Sequence, residues 1–204
     1  MQPNRELHTE IPLFPLRTVL FSGGRLPLRI FEPRYTDMVS QCLKTDTGFG
    51  VVLIREGAEA RLGAQSEPPR VFGIGTYARI VDFNARGDGT LGIMVSGEAK
   101  FRVQRTFETP DHLLMGSVEY LPDERSQAVA AEHAPLVEIL KELMKHPLVE
   151  KLSLDVDYGD ARSVSCRLAE LLPLEPEIKQ SLLQMNLPRE RLTELRRLVD
   201  HLRG

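Results

Sequence analysis

From Ile11 to Tyr35 the chain is a dense apolar block, IPLFPLRTVLFSGGRLPLRIFEPRY, cut by prolines and one Gly-Gly pair. Proline lacks a ladder donor and fixes φ, so Pro12, Pro15 and Pro27 are predicted at edges, bends or ends of short strands. Ser22-Gly23-Gly24 supplies a turn able to take positive φ. Glu32-Pro33 sets a proline at the first position of a helix. Tyr35, Met38, Val39, Cys42 and Leu43 follow at helical spacing as its apolar side. Phe49 to Arg55 (FGVVLIR) is a continuous apolar run, the pattern of a strand buried on both faces. Val71 to Phe83 predicts a longer strand in which Gly73 and Gly75 mark a bend or bulge. Asn84 to Thr90 reads as a turn, making Leu91 to Val95 the return strand of a hairpin. A second short turn is expected around Ser96-Gly97-Glu98. Beyond it, Phe101, Val103 and Arg105 alternate against Arg102, Gln104 and Thr106, and Leu113 to Leu121 supplies a last strand.

After Leu121 the period changes from two to 3.6. Ser126 is expected to cap a helix ending near His146, with Leu136, Leu140 and Leu143 on one face and Pro135 as a kink or restart. Asp160 caps the next, whose stripe is Val164, Leu168, Leu171 and Leu172 before Pro173. Pro176 begins a third helix carrying Ile178, Leu182 and Met185. Asn186 and Pro188 begin a fourth, with Leu192, Leu195, Val199 and Leu202 inward and Arg191, Glu194, Arg196 and Arg197 outward. These amphipathic stripes must be buried on one another or on the strands. Composition breaks at the same place. Eleven of the 12 Phe and Tyr residues and 13 of the 15 glycines precede Pro122, whereas the remainder is rich in Leu, Glu and Arg. The expected organisation is α+β: a small, closed or nearly closed β-barrel with one early helix over residues 1–121, then a helical bundle over 122–204.

Bulk properties narrow the function. A net charge of −3 and a pI near 6.0 provide no global basic field for nucleic acid or anionic membrane. The first residues lack an apolar signal core, and no stretch of 18 apolar residues follows, so a cytoplasmic protein without membrane contact is expected. Cys42 and Cys166 fall in apolar helical patterns, which suits buried free thiols. Gly87 to Gly92 matches G-x-G-x-x-G, but these glycines open a return strand and not the helix a dinucleotide requires. Arg86-Gly87-Asp88 spells an adhesion tripeptide, and the missing export signal argues against that use. There is no phosphate-binding G-x-x-x-x-G-K-[ST] and no G-x-S-x-G. His8, His112, His133, His146 and His201 have no metal-ligand spacing with one another or with either cysteine. No catalytic residue, cofactor or metal is expected. Arg17, Arg25, Arg29 and Arg34 interleave with Phe14, Phe21, Phe31 and Tyr35. Such a pattern can hold nucleic acid, but Glu32 and Asp37 dilute the charge, and core aromatics with solvated arginines are the better reading. Apolar pockets flanked by Arg and Glu, open to a hydrophobic peptide, are a third.

Several segments in order resemble the Lon N-terminal domain, the substrate-binding module of Lon-type proteases. They are the opening block, Phe49 to Ile54, Gly73-Ile74-Gly75-Thr76-Tyr77-Ala78-Arg79-Ile80, and Val95 to Val103 ending in Glu98-Ala99-Lys100-Phe101-Arg102-Val103. Leu168 to Leu174 and Glu177 to Leu183 extend the likeness into the helices. The resemblance implies a PUA-like barrel with a helical bundle packed beside it, and a role in holding exposed or unfolded protein segments. A protease or quality-control factor would be a further partner. Lon proteases continue into ATPase and Ser-Lys peptidase modules, whereas this chain ends at Gly204, so a stand-alone, non-enzymatic protein is expected. The candidate binding surface is the first helix with Glu32, Arg34, Asp37 and Gln41 outward, plus Arg17 and Phe21 on the preceding loop. The rivals are RNA binding, by analogy with other PUA-like barrels, and a small-molecule binder.

Overall fold

The computed structural model describes residues 10–59, 67–85 and 90–203. Six strands, β1 (Glu10–Leu16), β2 (Arg25–Ile30), β3 (Phe49–Glu56), β4 (Arg70–Ala85), β5 (Leu91–Glu108) and β6 (Leu114–Tyr120), form one mixed sheet in the order β2-β5-β4-β3-β1-β6. β6 also pairs with the later half of β5, so β1, β3, β4, β5 and β6 follow one another round a closed circuit of partners. β1 and β3 run parallel, and parallel neighbours need a crossover. Here the crossover consists of β2 and helix α1 (Pro33–Thr45).

Local chemistry explains most boundaries. Gly23 takes φ 73° in the turn before β2, as the Gly-Gly pair predicts. Pro33 starts α1, and Asp46 ends it in the left-handed region at φ 52°. Pro12 and Pro15 lie within β1, yet each is tolerable, because residues 10–12 pair with β6 and 13–16 with β3. Tyr35, Met38, Val39 and Cys42 are buried, but Leu43 is 40% exposed, since it falls at the margin of the stripe. Between Val52↔Gly75 and Ile54↔Val71, β4 spends two more residues than β3, so the bulge predicted at Gly73 is present.

The turn expected at Ser96-Gly97-Glu98 is not there: β5 runs unbroken through it. The irregularity is instead a bulge, because Thr76 pairs with Lys100 while Ala78 pairs with Gly97. The stretch between β4 and β5, residues 86–89, holds most of the glycine motif and the Arg-Gly-Asp tripeptide. It lies outside the described residues, as does the N-terminal segment 1–9.

The helical part comprises α2 (Ala134–Met144), α3 (Pro147–Glu150), α4 (Ala161–Leu171), α5 (Pro176–Gln184) and α6 (Pro188–Arg203). The helix expected from Ser126 begins only at Ala134, because Pro135 suits a first turn and not an interior. Residues before it are held differently: Gln127 donates its backbone N–H to Asp160 Oδ1 at 3.1 Å. Asp160 caps α4 through Arg162 N at 3.2 Å, as its sequence position predicts.

Among the described residues, three apolar clusters form the core. One lies between the strands and α1, around Phe14, Tyr35, Met38, Phe49 and Val95. A second joins Leu13, Val52, Phe101 and Val118 inside the strand circuit. The third packs Val19, Phe21 and Leu53 of the strand part against Leu140, Val164, Leu168, Leu182 and Leu195 of the helices. The helices are therefore docked on the sheet through a shared core, each buried leucine contributing about 1.5–3 kcal/mol.

Candidate functional site

The residues anticipated on the first helix are brought together only in part. Asp37 and Gln41 are exposed on α1. Arg34 is not the free surface charge expected: its guanidinium pairs with Glu32 at 2.8 Å and donates to His112 O at 2.9 Å. It also lies 4.6 Å from the centre of the Tyr35 ring. Glu32 is thereby half-buried as the partner of Arg34. Arg17 is exposed; its backbone N–H donates to Glu59 and its guanidinium to Gly57 O. Phe21 is wholly buried in the core shared with the helices, which corrects its placement on a presented loop. A large aromatic beside Gly-Gly is drawn inward when a second layer of helices offers it an apolar seat.

Beside α1 the surface opens into an apolar groove of about 290 Å³, walled by Ile11, Pro12, Met38, Tyr77, Leu113 and Met115, with Gln41 in its lining. Strand register extends this wall, because Met115 pairs with Pro12 on one side and with Phe107 on the other. Phe107 is 36% exposed, so the three side chains form an apolar row across three strands. Arg105 sits 5.4 Å from the Phe107 ring and pairs with Glu10 at 3.2 Å. Methionines give such a wall an adaptable surface, suited to varied apolar side chains. Burial raises the Cys42 thiol above its ordinary pKa, so it lines this groove as a small apolar group and not as a nucleophile.

The second concave region lies between the strands and the helices. Lys100 of β5 reaches across to Glu124 at 2.8 Å and to the carbonyls of Leu183 and Met185 at 3.1 and 3.0 Å. Arg191 of α6 is fully buried; it holds the same Glu124 with two nitrogens and donates to Leu182 O at 2.9 Å and Ser165 Oγ at 3.1 Å. Burial by itself pushes the Glu124 carboxyl up, but the hydrogen bonds and charges of Arg191 and Lys100 outweigh it and hold the pKa below the ordinary value. On α4, Arg167 is buried, donating to Ser22 O at 2.7 Å and pairing with Glu170 at 3.2 Å. Glu170 accepts the Arg25 N–H at 3.1 Å, and burial raises its pKa.

Lys100, Glu124, Arg167 and Arg191 were not among the candidates from sequence, and Arg191 was expected outward. A signal was nevertheless present. Arg191 stands four residues before Leu195 and eight before Val199, inside the apolar stripe. Arg167 likewise stands three residues after Val164 and four before Leu171. Among the described residues, no group of three or more His, Cys, Asp or Glu is placed to hold a metal ion. Likewise, no described helix is long and apolar enough to cross a membrane.

Residues 10–201 match the ATP-dependent protease La (LON) substrate-binding domain. The chain belongs to that family. It is similar to Lon protease of Escherichia coli strain K12, with 26% identity over 210 residues, covering 98% of this chain and 26% of that protein. Lon protease 2 of Myxococcus xanthus is 32% identical over 104 residues, 50% of this chain and 12% of that one. This chain thus spans about a quarter of the length of the curated Escherichia coli relative. Among solved structures, the Lon N-terminal domain protein from Xanthomonas campestris superposes with a TM-score of 0.74 at 36% identity, covering 92% of this chain and 97% of that one. The N-terminal domain of the Mycobacterium avium complex Lon protease, at 17% identity and a TM-score of 0.58, covers 91% and 95% and shares the fold.

Proposed function

We propose that this protein is a non-catalytic recognition module that binds exposed, apolar segments of other protein chains, with the groove beside α1 as its seat. Membership of a substrate-binding family supports the role. The observation that carries the location is the apolar row Pro12–Met115–Phe107 continuing out of a groove already walled by Met38 and Tyr77. An extended peptide places alternate side chains on one face, so such a row can accept them in succession, with Asp37 and Gln41 as polar neighbours on the helix. We read the closed strand circuit as the PUA-like barrel, and the helices after residue 121 as a bundle subdomain fastened to it by Lys100 and Glu124. A cytoplasmic location accords with this reading.

The test is binding of a reduced, carboxymethylated unfolded protein, followed by fluorescence anisotropy. Met115→Lys sets a charge in the middle of the row on a half-buried strand position and should weaken binding about tenfold or more, the loss expected of an anchor in an apolar site. Asp37→Lys should change mainly the salt dependence. Unchanged affinity in Met115→Lys, with an unchanged thermal melt, would exclude this groove.

A further inference from the structure

The cleft between strands and helices holds a cationic group that its internal ion pairs do not exhaust. Its volume is about 250 Å³, and its lining includes Gly23, Lys100, Asp123, Asp155, Arg162 and Arg167. The Lys100–Glu124–Arg191 cluster is satisfied internally and carries one positive charge in excess. Arg167 differs. Its Nη2 serves both Ser22 O and Glu170, whereas its Nη1 is buried with no hydrogen-bond partner. An unmatched guanidinium N–H inside a protein is costly, and a cleft beside it is where a missing acceptor would enter. The guanidinium lies beneath Gly23, where a Cβ would stand 3.7 Å from Nη1. The Ser22-Gly23-Gly24 turn that covers it is tied to β5 by Gly23 N to Gly97 O at 2.8 Å and Gly97 N to Gly24 O at 2.9 Å. Gly23 and Arg167 both belong to the lining of the cleft.

We infer that this cleft is a carboxylate site: Arg167 Nη1 takes an α-carboxylate, and a cationic group on the same ligand faces the exposed Asp123 and Asp155 of the wall. With Nη2 already engaged, Nη1 is the nitrogen left to donate a charge-assisted hydrogen bond to a carboxylate oxygen. Phosphate fits worse, since a dianion would meet the carboxylates of Glu98, Asp123, Glu124 and Asp155 in the same lining. The small volume limits the ligand to about one residue. Two sources share this chemistry, a free basic amino acid and the C-terminal Lys or Arg of a polypeptide. The site goes beyond the peptide groove, with which it shares no lining residue.

The experiment is amide NMR titration of the full chain with four probes: L-lysine, L-lysine methyl ester, and the tripeptide Ala-Ala-Lys as free acid and as amide. Saturable shifts at Gly23, Gly97 and Arg167 are expected with lysine or the tripeptide acid, and none with the ester or the amide. A response to lysine alone assigns the free amino acid, and one to the tripeptide acid assigns the chain terminus. Arg167→Lys keeps the charge but removes the second nitrogen, and should weaken binding about tenfold, as for loss of one charge-assisted hydrogen bond. If that variant does not fold, exposed Asp155→Asn remains a usable test, with a loss of about threefold expected for a rim charge. No saturable shift with either acid, or equal binding of acid and amide, overturns the inference. So does full wild-type affinity in both Arg167→Lys and Asp155→Asn.

Discussion

A single arginine illustrates how misleading formal charge is as a guide to exposure. Arg191 is fully buried because the carbonyls of Leu182 and Met185, the hydroxyl of Ser165 and the carboxylate of Glu124 all converge on it. A buried ion pair is weak evidence of net stabilisation, but removing one partner leaves an unmatched charge inside. Glu124→Gln should therefore lower unfolding stability by about 3–5 kcal/mol, read from the shift in urea midpoint. A change below the error of the measurement would mean that Arg191 and Lys100 find other acceptors. Arg34 teaches the same lesson at smaller scale. Its ties to Glu32 and His112 O make it a strut between α1 and the segment before β6. Arg34→Ala should cost about 1–2 kcal/mol, whereas a free surface charge would have cost almost nothing.

At the scale of elements, β5 is the strand that pairs with three others. Its first half pairs with β2, its second half with β6, and β4 lies along both. Midway sits Gly97, where a Cβ would strike the backbone carbonyl of Phe21. Neither backbone segment can rotate out of the way, as a long side chain could. Gly97→Ala should destabilise by about 1–3 kcal/mol, in the range of overpacking in a core, and loosen the 22–24 turn in hydrogen exchange. A wild-type melt would show that the turn moves freely. Leu53 on β3 faces the helices in the shared core. Leu53→Ala should cost about 2–5 kcal/mol and, in a two-state molecule, shift strand and helix signals at one midpoint. Separate midpoints would mean that the helices fold independently of the sheet.

For the whole molecule, two buried carboxylates give pH dependences of opposite sign. Glu124 has a native pKa below its ordinary value of 4.5, through Arg191 and Lys100 outweighing burial. Its contribution to stability is present above 4.5 and is lost as pH falls through the lower native value. Glu170 has a native pKa above 4.5 because of burial. Its contribution is full below 4.5 and declines as pH rises through the native value. In urea unfolding across a pH series, the deficit of Glu124→Gln should thus be greatest near neutrality and shrink on acidification. Glu170→Gln should run the other way, comparing best with wild type near neutrality. Parallel curves for both variants would show that neither group titrates with folding.

Much of the fold was legible one segment at a time. Pro33, Asp160, Pro176 and Pro188 place their helix starts correctly, because a first turn needs only its own backbone and a cap. The unbroken run in β3, the bulge near Gly73 and the buried stripe of α1 are equally local, set by side-chain period. The sequence by itself also determined the family, since ordered segments along most of the chain carry the resemblance. What only the tertiary structure decided are the contacts between positions far apart in the chain. Lys100, Glu124 and Arg191 meet from three elements, Arg167 meets Ser22, and Phe21 finds its seat among the helices. No periodicity reports that a charge will meet its partner; burial of a cation becomes tolerable only when a distant carboxylate and several carbonyls arrive together. The groove beside α1 has the same origin, since its walls come from β1, β4, β6 and α1: the sequence pointed to the helix, and only the fold set Pro12, Tyr77 and Met115 beside it.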